Sequence, residues 1–324
     1  MTARAKKLLS YLLKLGILVL AAWWIYHRIL KNNKNIHDFE QLAAHISHNK
    51  VLFTMIGVVL LMIVNWVLES VKWWYLTRII SPMSVWKAIE AVFCGLTWAV
   101  FTPNRLGEYG GRVMFLPNRK RIHGVFAMAV GSLGQLVITN VLGAGASVWF
   151  AYSFLHPPDW IMLCAFVIAA VFMAIMITFY FNIKWMVSLL NRVKFLKKYH
   201  RFFDIMGNYK TGELLNIMWF CLARFCTFTF QYYLIIHLLI PTMPLGELSL
   251  IMFVFFFIQS ALPSLDLVDI GVRSITADRL FGYITDQHIA ILASVSLIYI
   301  INMIIPAALG SIFVFKLKFF DRNA

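Results

Sequence analysis

The run TPNRLGEYGGR at 102–112 sets two guanidiniums, Arg105 and Arg112, around one carboxylate, Glu108. A guanidinium matches two phosphate oxygens with paired N–H donors, so these arginines can act as a fork for a phosphate group. Glu108 can hold one arginine in place or carry a proton. Pro103 breaks a helix, and Gly107, Gly110 and Gly111 permit tight turns. A second run, LPSLDLVDIGVR at 262–273, repeats the grammar with Pro263, Asp266, Asp269, Gly271 and Arg273. Its carboxylates can pair with Arg273, bind a cation or accept protons.

Other polar residues fall within apolar stretches. Arg224 lies inside one of them, and a charge at membrane depth must face the protein interior and find a partner. Asn65, Glu69 and Lys72 follow one another at helical spacing, near enough to the end of their stretch to reach the interface. Gln135, Asn140, Gln231, Gln259 and Asn302 read as hydrogen-bonding glue between helices. His45 and His48 form an HxxH pair without a third ligand, and the four cysteines make no CxxC pair. No metal site or disulfide is expected. No HExxH, GxSxG, P-loop or dinucleotide fingerprint appears, so no catalytic residue, cofactor or enzyme activity is assigned.

The elements that must hold these residues follow from composition. Of 324 residues, 61% are hydrophobic and 13% charged. A soluble domain carries about 25% charged residues, so the chain reads as a single polytopic membrane domain. The net charge of +15 is better explained by basic cytoplasmic loops than by nucleic acid, for which no basic domain stands apart. Six stretches are long enough to span: 8–26, 51–76, 123–153, 160–182, 213–240 and 287–315. Two shorter ones, 85–101 and 247–262, lead into the Pro-containing polar runs.

Charge decides how the short pieces lie. The segment 104–122 carries five basic residues against Glu108, and the loop 183–212 carries seven against Asp204. By contrast, 263–286 holds four aspartates and two arginines. If both short pieces are re-entrant half-helices, every one of these basic segments falls in the cytoplasm, with the acidic one outside. The linker 27–50, external and basic, is the exception. The expected fold is all-α, with about six transmembrane helices and two re-entrant half-helices. Both termini are cytoplasmic. The units 51–153 and 213–315 then form an inverted repeat, a transporter architecture with its binding site between the halves.

TPNRLGEYGGR after an apolar half-helix resembles the signature of the lysylphosphatidylglycerol synthase transmembrane-region family. LPSLDLVDIGVR resembles that family's later Pro- and Gly-containing segment. Pro103, Arg105, Gly107 and Glu108 match the pattern. Arg112 stands four residues after Glu108 where the pattern has three, and Ser274 stands where a glutamate often follows Gly-x-Arg. The resemblance implies a flippase-type domain of the plasma (inner) membrane without the soluble synthase domain. The mirrored polar runs, the intramembrane Arg224 and this likeness together make Arg105, Glu108, Arg112, Arg224, Asp266, Asp269 and Arg273 the candidate substrate-binding residues. Pro103, Gly107, Gly110, Gly111, Pro263 and Gly271 would be turns or hinges. The expected function is movement of a phosphate-bearing lipid between leaflets. The alternatives are an accessory subunit of a lipid-modifying or glycosyltransferase system, and a membrane enzyme acting on a polyprenyl-phosphate lipid. The partners are membrane lipids and a separate lipid-modifying enzyme, and the reading is compatible with a homo-oligomer.

Overall fold

A computed structural model describes residues 33–100, 102, 105–192, 205–262 and 269–315. It also describes Leu12, residues 14–16, Val19, Leu20, Trp23 and Tyr26. Among the described residues the regular structure is entirely helical. We number the helices α1 (Asn33–Ala44), α2 (His48–Thr77), α3 (Val85–Ala99), α4 (Leu106–Val113), α5 (Arg121–Phe150) and α6 (Asp159–Phe181). The series continues with α7 (Ile183–Arg192), α8 (Thr211–Leu239), α9 (Leu245–Ala261), α10 (Asp269–Phe281), α11 (His288–Tyr299) and α12 (Ile305–Val314).

Five helical stretches are long and apolar enough to cross a membrane: His48–Thr77, Asn118–Leu155, Asp159–Phe181, Thr211–Leu239 and His288–Val314. They coincide with five of the six expected spans; the sixth, 8–26, falls largely outside the described residues. Helix α6 makes the argument for lipid most directly. Of its 23 residues only Tyr180 is buried. Leu163, Phe166 and Ile168 are each at least 60% exposed. A helix apolar on all sides and largely uncovered by protein needs a hydrocarbon solvent.

Helix α2 shows how the remaining spans divide their faces. Val58, Met62, Asn65, Glu69, Trp73 and Leu76 are buried at intervals of three and four, while Phe53, Ile56, Leu60 and Ile63 point outward. The buried stripe packs along α8. Gln231 Nε2 donates to the Val58 carbonyl across this seam at 2.9 Å. At the far end, the Tyr209 hydroxyl donates to Leu76 O at 2.8 Å. The segment 183–212, expected to be a basic loop, opens with helix α7.

Helices α3 and α9 hold 15 and 17 residues. At 1.5 Å per residue they reach about 22–26 Å, short of a hydrocarbon core of about 30 Å. Ser84 caps α3 by accepting from Lys87 N–H. Helix α4 folds back on α3, and the contact is so close that a Cβ at Gly111 would lie 2.6 Å from Gly95 Cα. Each short helix also packs on a spanning stretch distant in sequence: α3 on the α12 part of His288–Val314, and α9 on α5. Glycine permits both contacts. A Cβ at Gly310 would lie 2.0 Å from Phe93 O, and one at Gly143 would lie 2.3 Å from Phe257 Cβ.

The buried Thr97 hydroxyl donates to Ala307 O at 2.8 Å and so stitches α3 to α12. Thr97→Val keeps the shape and leaves that carbonyl without its donor. We expect a loss of about 1 kcal/mol in detergent-solubilised thermal unfolding; an unchanged midpoint would show that the bond contributes nothing.

A π-turn, Ile300–Ile304, joins α11 to α12. Pro306 has no N–H for the Asn302 carbonyl four residues earlier, which favours such a local widening of the helix. The π-turn carries Asn302 to the central cavity.

Candidate functional site: a cation-rich cavity built on Glu69

Three helices converge on one carboxylate. Glu69 of α2 accepts from Arg112 Nη1 of α4 at 2.6 Å and pairs with Lys72 Nζ, one turn along its own helix, at 2.7 Å. It also accepts from Arg224 Nη1 of α8. Arg224 Nε donates to Asn65 Oδ1 at 3.0 Å, and its guanidinium lies over the Trp66 ring. Arg112 gives its other terminal nitrogen to Glu108, which also pairs with Arg105 at 3.2 Å. The stripe Asn65, Glu69 and Lys72 therefore does not reach the interface as expected. It is buried and forms the hub of the network.

Local backbone explains how α4 delivers its groups. Arg105 caps α4 in the left-handed conformation, with φ 56° and ψ 27°. Gly107 N–H donates to Thr102 Oγ1 at 2.7 Å, and Thr102 in turn donates to Trp98 O. These bonds turn the chain from α3 into α4. Arg105, Glu108 and Arg112 then follow at intervals of three and four. The expectation that Gly107, Gly110 and Gly111 form tight turns is corrected here: all three lie inside α4, and no described glycine has positive φ. Gly107 and Gly111 are required by close approach, since a Cβ at Gly107 would fall 2.2 Å from Trp98 O. Gly110 meets only ordinary contacts.

A cavity of about 510 Å³ opens beside the hub. Lys72, Arg105, Glu108, Arg224 and Arg273 all line it, so expected residues from the two polar runs share one chamber. Arg112 does not line it. It is 2% exposed and locked between Glu69 and Glu108, so the expected phosphate fork of Arg105 with Arg112 is not formed. Arg112 positions Glu69 and Glu108, and the described cations at the cavity are Lys72, Arg105, Arg224 and Arg273. Pro103, Asp266 and Pro263 lie outside the described residues. Asp269 and Gly271 begin α10, but their side chains are not described.

The chain matches no protein-family model, no curated protein and no solved structure. Its chemistry must be read from the cavity. In the ion-pair network Lys72, Arg105, Arg112 and Arg224 stand against Glu69 and Glu108, a formal excess of two positive charges, and Arg273 adds a further cation to the cavity lining. Both carboxylates are already engaged by cations. In a medium of low dielectric an uncompensated charge is costly, so the arrangement favours an incoming anion. Among the described residues no group of three His, Cys, Asp or Glu could hold a metal ion.

Glu69 and Lys72 were the residues least visible in the sequence as functional. A glutamate and a lysine three apart after a long apolar run are a signal for a buried pair as well as for an interface, and the converging helices decide between them.

Proposed function

We propose that this chain is an integral plasma-membrane protein that moves a phosphate-bearing lipid between leaflets, with both termini in the cytoplasm. The observation that carries the reading is the cation-rich cavity lined from both polar runs, with Arg105 from the first and Arg273 from the second. A headgroup phosphate answers its excess charge, while the acyl chains remain in hydrocarbon.

The packing supports an inverted repeat of α2–α5 against α8–α12, with α3–α4 and α9–α10 as re-entrant hairpins. Phe93 and Phe253 each lie eight residues past the first residue of their short helix. Thr97 and Phe257 each lie twelve past it. Gly143 and Gly310, which receive these helices, each lie 22 residues past Arg121 and His288 respectively. The same contact at the same register in both halves is what a repeat related by a pseudo-two-fold axis produces. A membrane enzyme with Glu108 as acid or base is less well supported, because Glu108 is bound by two guanidiniums.

The test is reconstitution in liposomes with labelled phospholipids. Arg224→Gln leaves Glu69 paired with Lys72 and Arg112, so folding should survive, while the loss of one charge-assisted contact to phosphate should slow movement by about 10–100-fold. Transbilayer movement no faster than in empty liposomes, across a panel of phosphate-bearing lipids, would overturn the proposal.

A further inference from the structure

One end of the bundle gathers the α2–α3 turn, the start of α5, helix α7 and the start of α8. Lys120 Nζ donates to Ile80 O at 2.6 Å, and the Tyr209 hydroxyl reaches the end of α2 at Leu76 O. A Cβ at Gly207 would lie 3.7 Å from Lys184 Cγ, so the stem of Lys184 rests against the turn that leads into α8. This end is strongly basic. Arg78 pairs with Glu213 at 2.7 Å, and Lys120 and Arg121 donate to backbone carbonyls. Lys87, Arg119, Lys184 and Lys210 add four exposed cations, while Glu213 is already held by Arg78.

Helix α7 is the element that faces outward there. Asn182 ends α6, since its backbone N–H and its side-chain amide both return to Thr178 O at 2.9 Å. The chain then restarts as α7. Ile183 and Val187, one turn apart, are buried on the bundle, whereas Lys184, Trp185 and Ser188 are exposed. Trp185 is 58% exposed, and the same pairing recurs at the start of α3, where Trp86 is 61% exposed beside Lys87. Tryptophan beside lysine suits the headgroup layer: the ring lies at the acyl boundary while the ammonium reaches the lipid's negative groups. An acidic soluble protein would answer the lysines, but α7 follows directly on the lipid-facing α6, so the surface that adjoins it is the bilayer.

We infer that this end of the bundle is a docking surface for an anionic membrane leaflet. Helix α7 lies in the headgroup layer, with Trp185 at the acyl boundary and Lys184 and Lys210 on the lipids' negative groups. The surface responds to charge density and not to headgroup identity, and it is separate from the central cavity.

Amide hydrogen exchange across α7 tests this, in the full chain reconstituted in nanodiscs of phosphatidylcholine alone or with phosphatidylserine or phosphatidylglycerol added at equal charge. Two lysines at an anionic surface should slow exchange in α7 by about tenfold or more relative to neutral discs, equally for both lipids. High salt should erase the difference. Lys184→Gln with Lys210→Gln should erase it too, while unchanged exchange along α2 reports an intact fold. Trp185→Ser should speed exchange in both kinds of disc.

Equal exchange in neutral and anionic discs at low salt would overturn the inference. So would a difference that salt or the lysine pair leaves untouched, or one confined to phosphatidylglycerol, which would mark a single headgroup site. Soluble polyglutamate that protects α7 in neutral discs as strongly as anionic lipid does would assign the surface to an acidic protein instead. The salt series needs no substitution, so it decides the question even if the double variant does not fold. Each of these failures leaves the lipid-moving reading standing.

Discussion

Glu69→Gln should be the most damaging single substitution in the chain. Arg112, Lys72 and Arg224 all meet at this carboxylate, from three helices, with side chains 2%, 4% and 17% exposed. The amide keeps the volume and removes the charge. Three cations would then crowd a neutral group in a low-dielectric interior, and breaking a buried ion pair in this way costs about 3–5 kcal/mol. The expected result is a large drop in the thermal midpoint of the detergent-purified protein, or loss of a monodisperse species. Lys72→Met added to Glu69→Gln removes one of the stranded cations and should recover part of the loss. Stability equal to the unmodified protein would show that the hub does not hold the three helices.

Gly310→Ala should come close behind. The new methyl would stand 2.0 Å from the Phe93 carbonyl, a backbone atom that cannot swing aside. Helices α3 and α12 must then separate, at a cost of about 1–3 kcal/mol or more. Gly143→Ala presses on Phe257 Cβ at 2.3 Å and should cost a similar amount. Gly145→Ala, two residues on, is the control: nothing lies within 4 Å of its Cβ. Alanine there should be neutral or should stabilise α5 by up to about 1 kcal/mol through helix propensity. Thermal unfolding of the three variants side by side reads the difference. Equal behaviour of Gly310→Ala and Gly145→Ala would remove the close contact from the account.

The long helices were legible because a run of apolar residues has one stable conformation in lipid, and length alone marks it. The shortness of α3 and α9 was legible for the same reason. Arg224 followed from the cost of an unpaired charge, and it has the interior partners Asn65 and Glu69. The hub did not follow. Glu69 and Lys72 lie close enough to the end of their span that local spacing fits an interface equally well. Only the approach of α4 and α8 makes the position an interior one. The glycines of 107–111 show the same limit. Residue type announced a special backbone requirement, but not which one. The left-handed residue is Arg105, and Gly107 and Gly111 serve to bring two helices together. Arg112 was expected to form half of a phosphate fork and is instead buried between Glu69 and Glu108.

The pairing of α3 with α12 has a consequence for biosynthesis. Thr97 and the carbonyl it binds are 210 residues apart. At about 5–20 residues per second, the early hairpin leaves the ribosome about 10–40 s before its late neighbour exists. Throughout that interval Phe93 and Thr97 lack the close partners that Gly310 and Ala307 provide. The contact between α3 and α12 therefore forms only once α12 has been made, and α3 passes that interval without it.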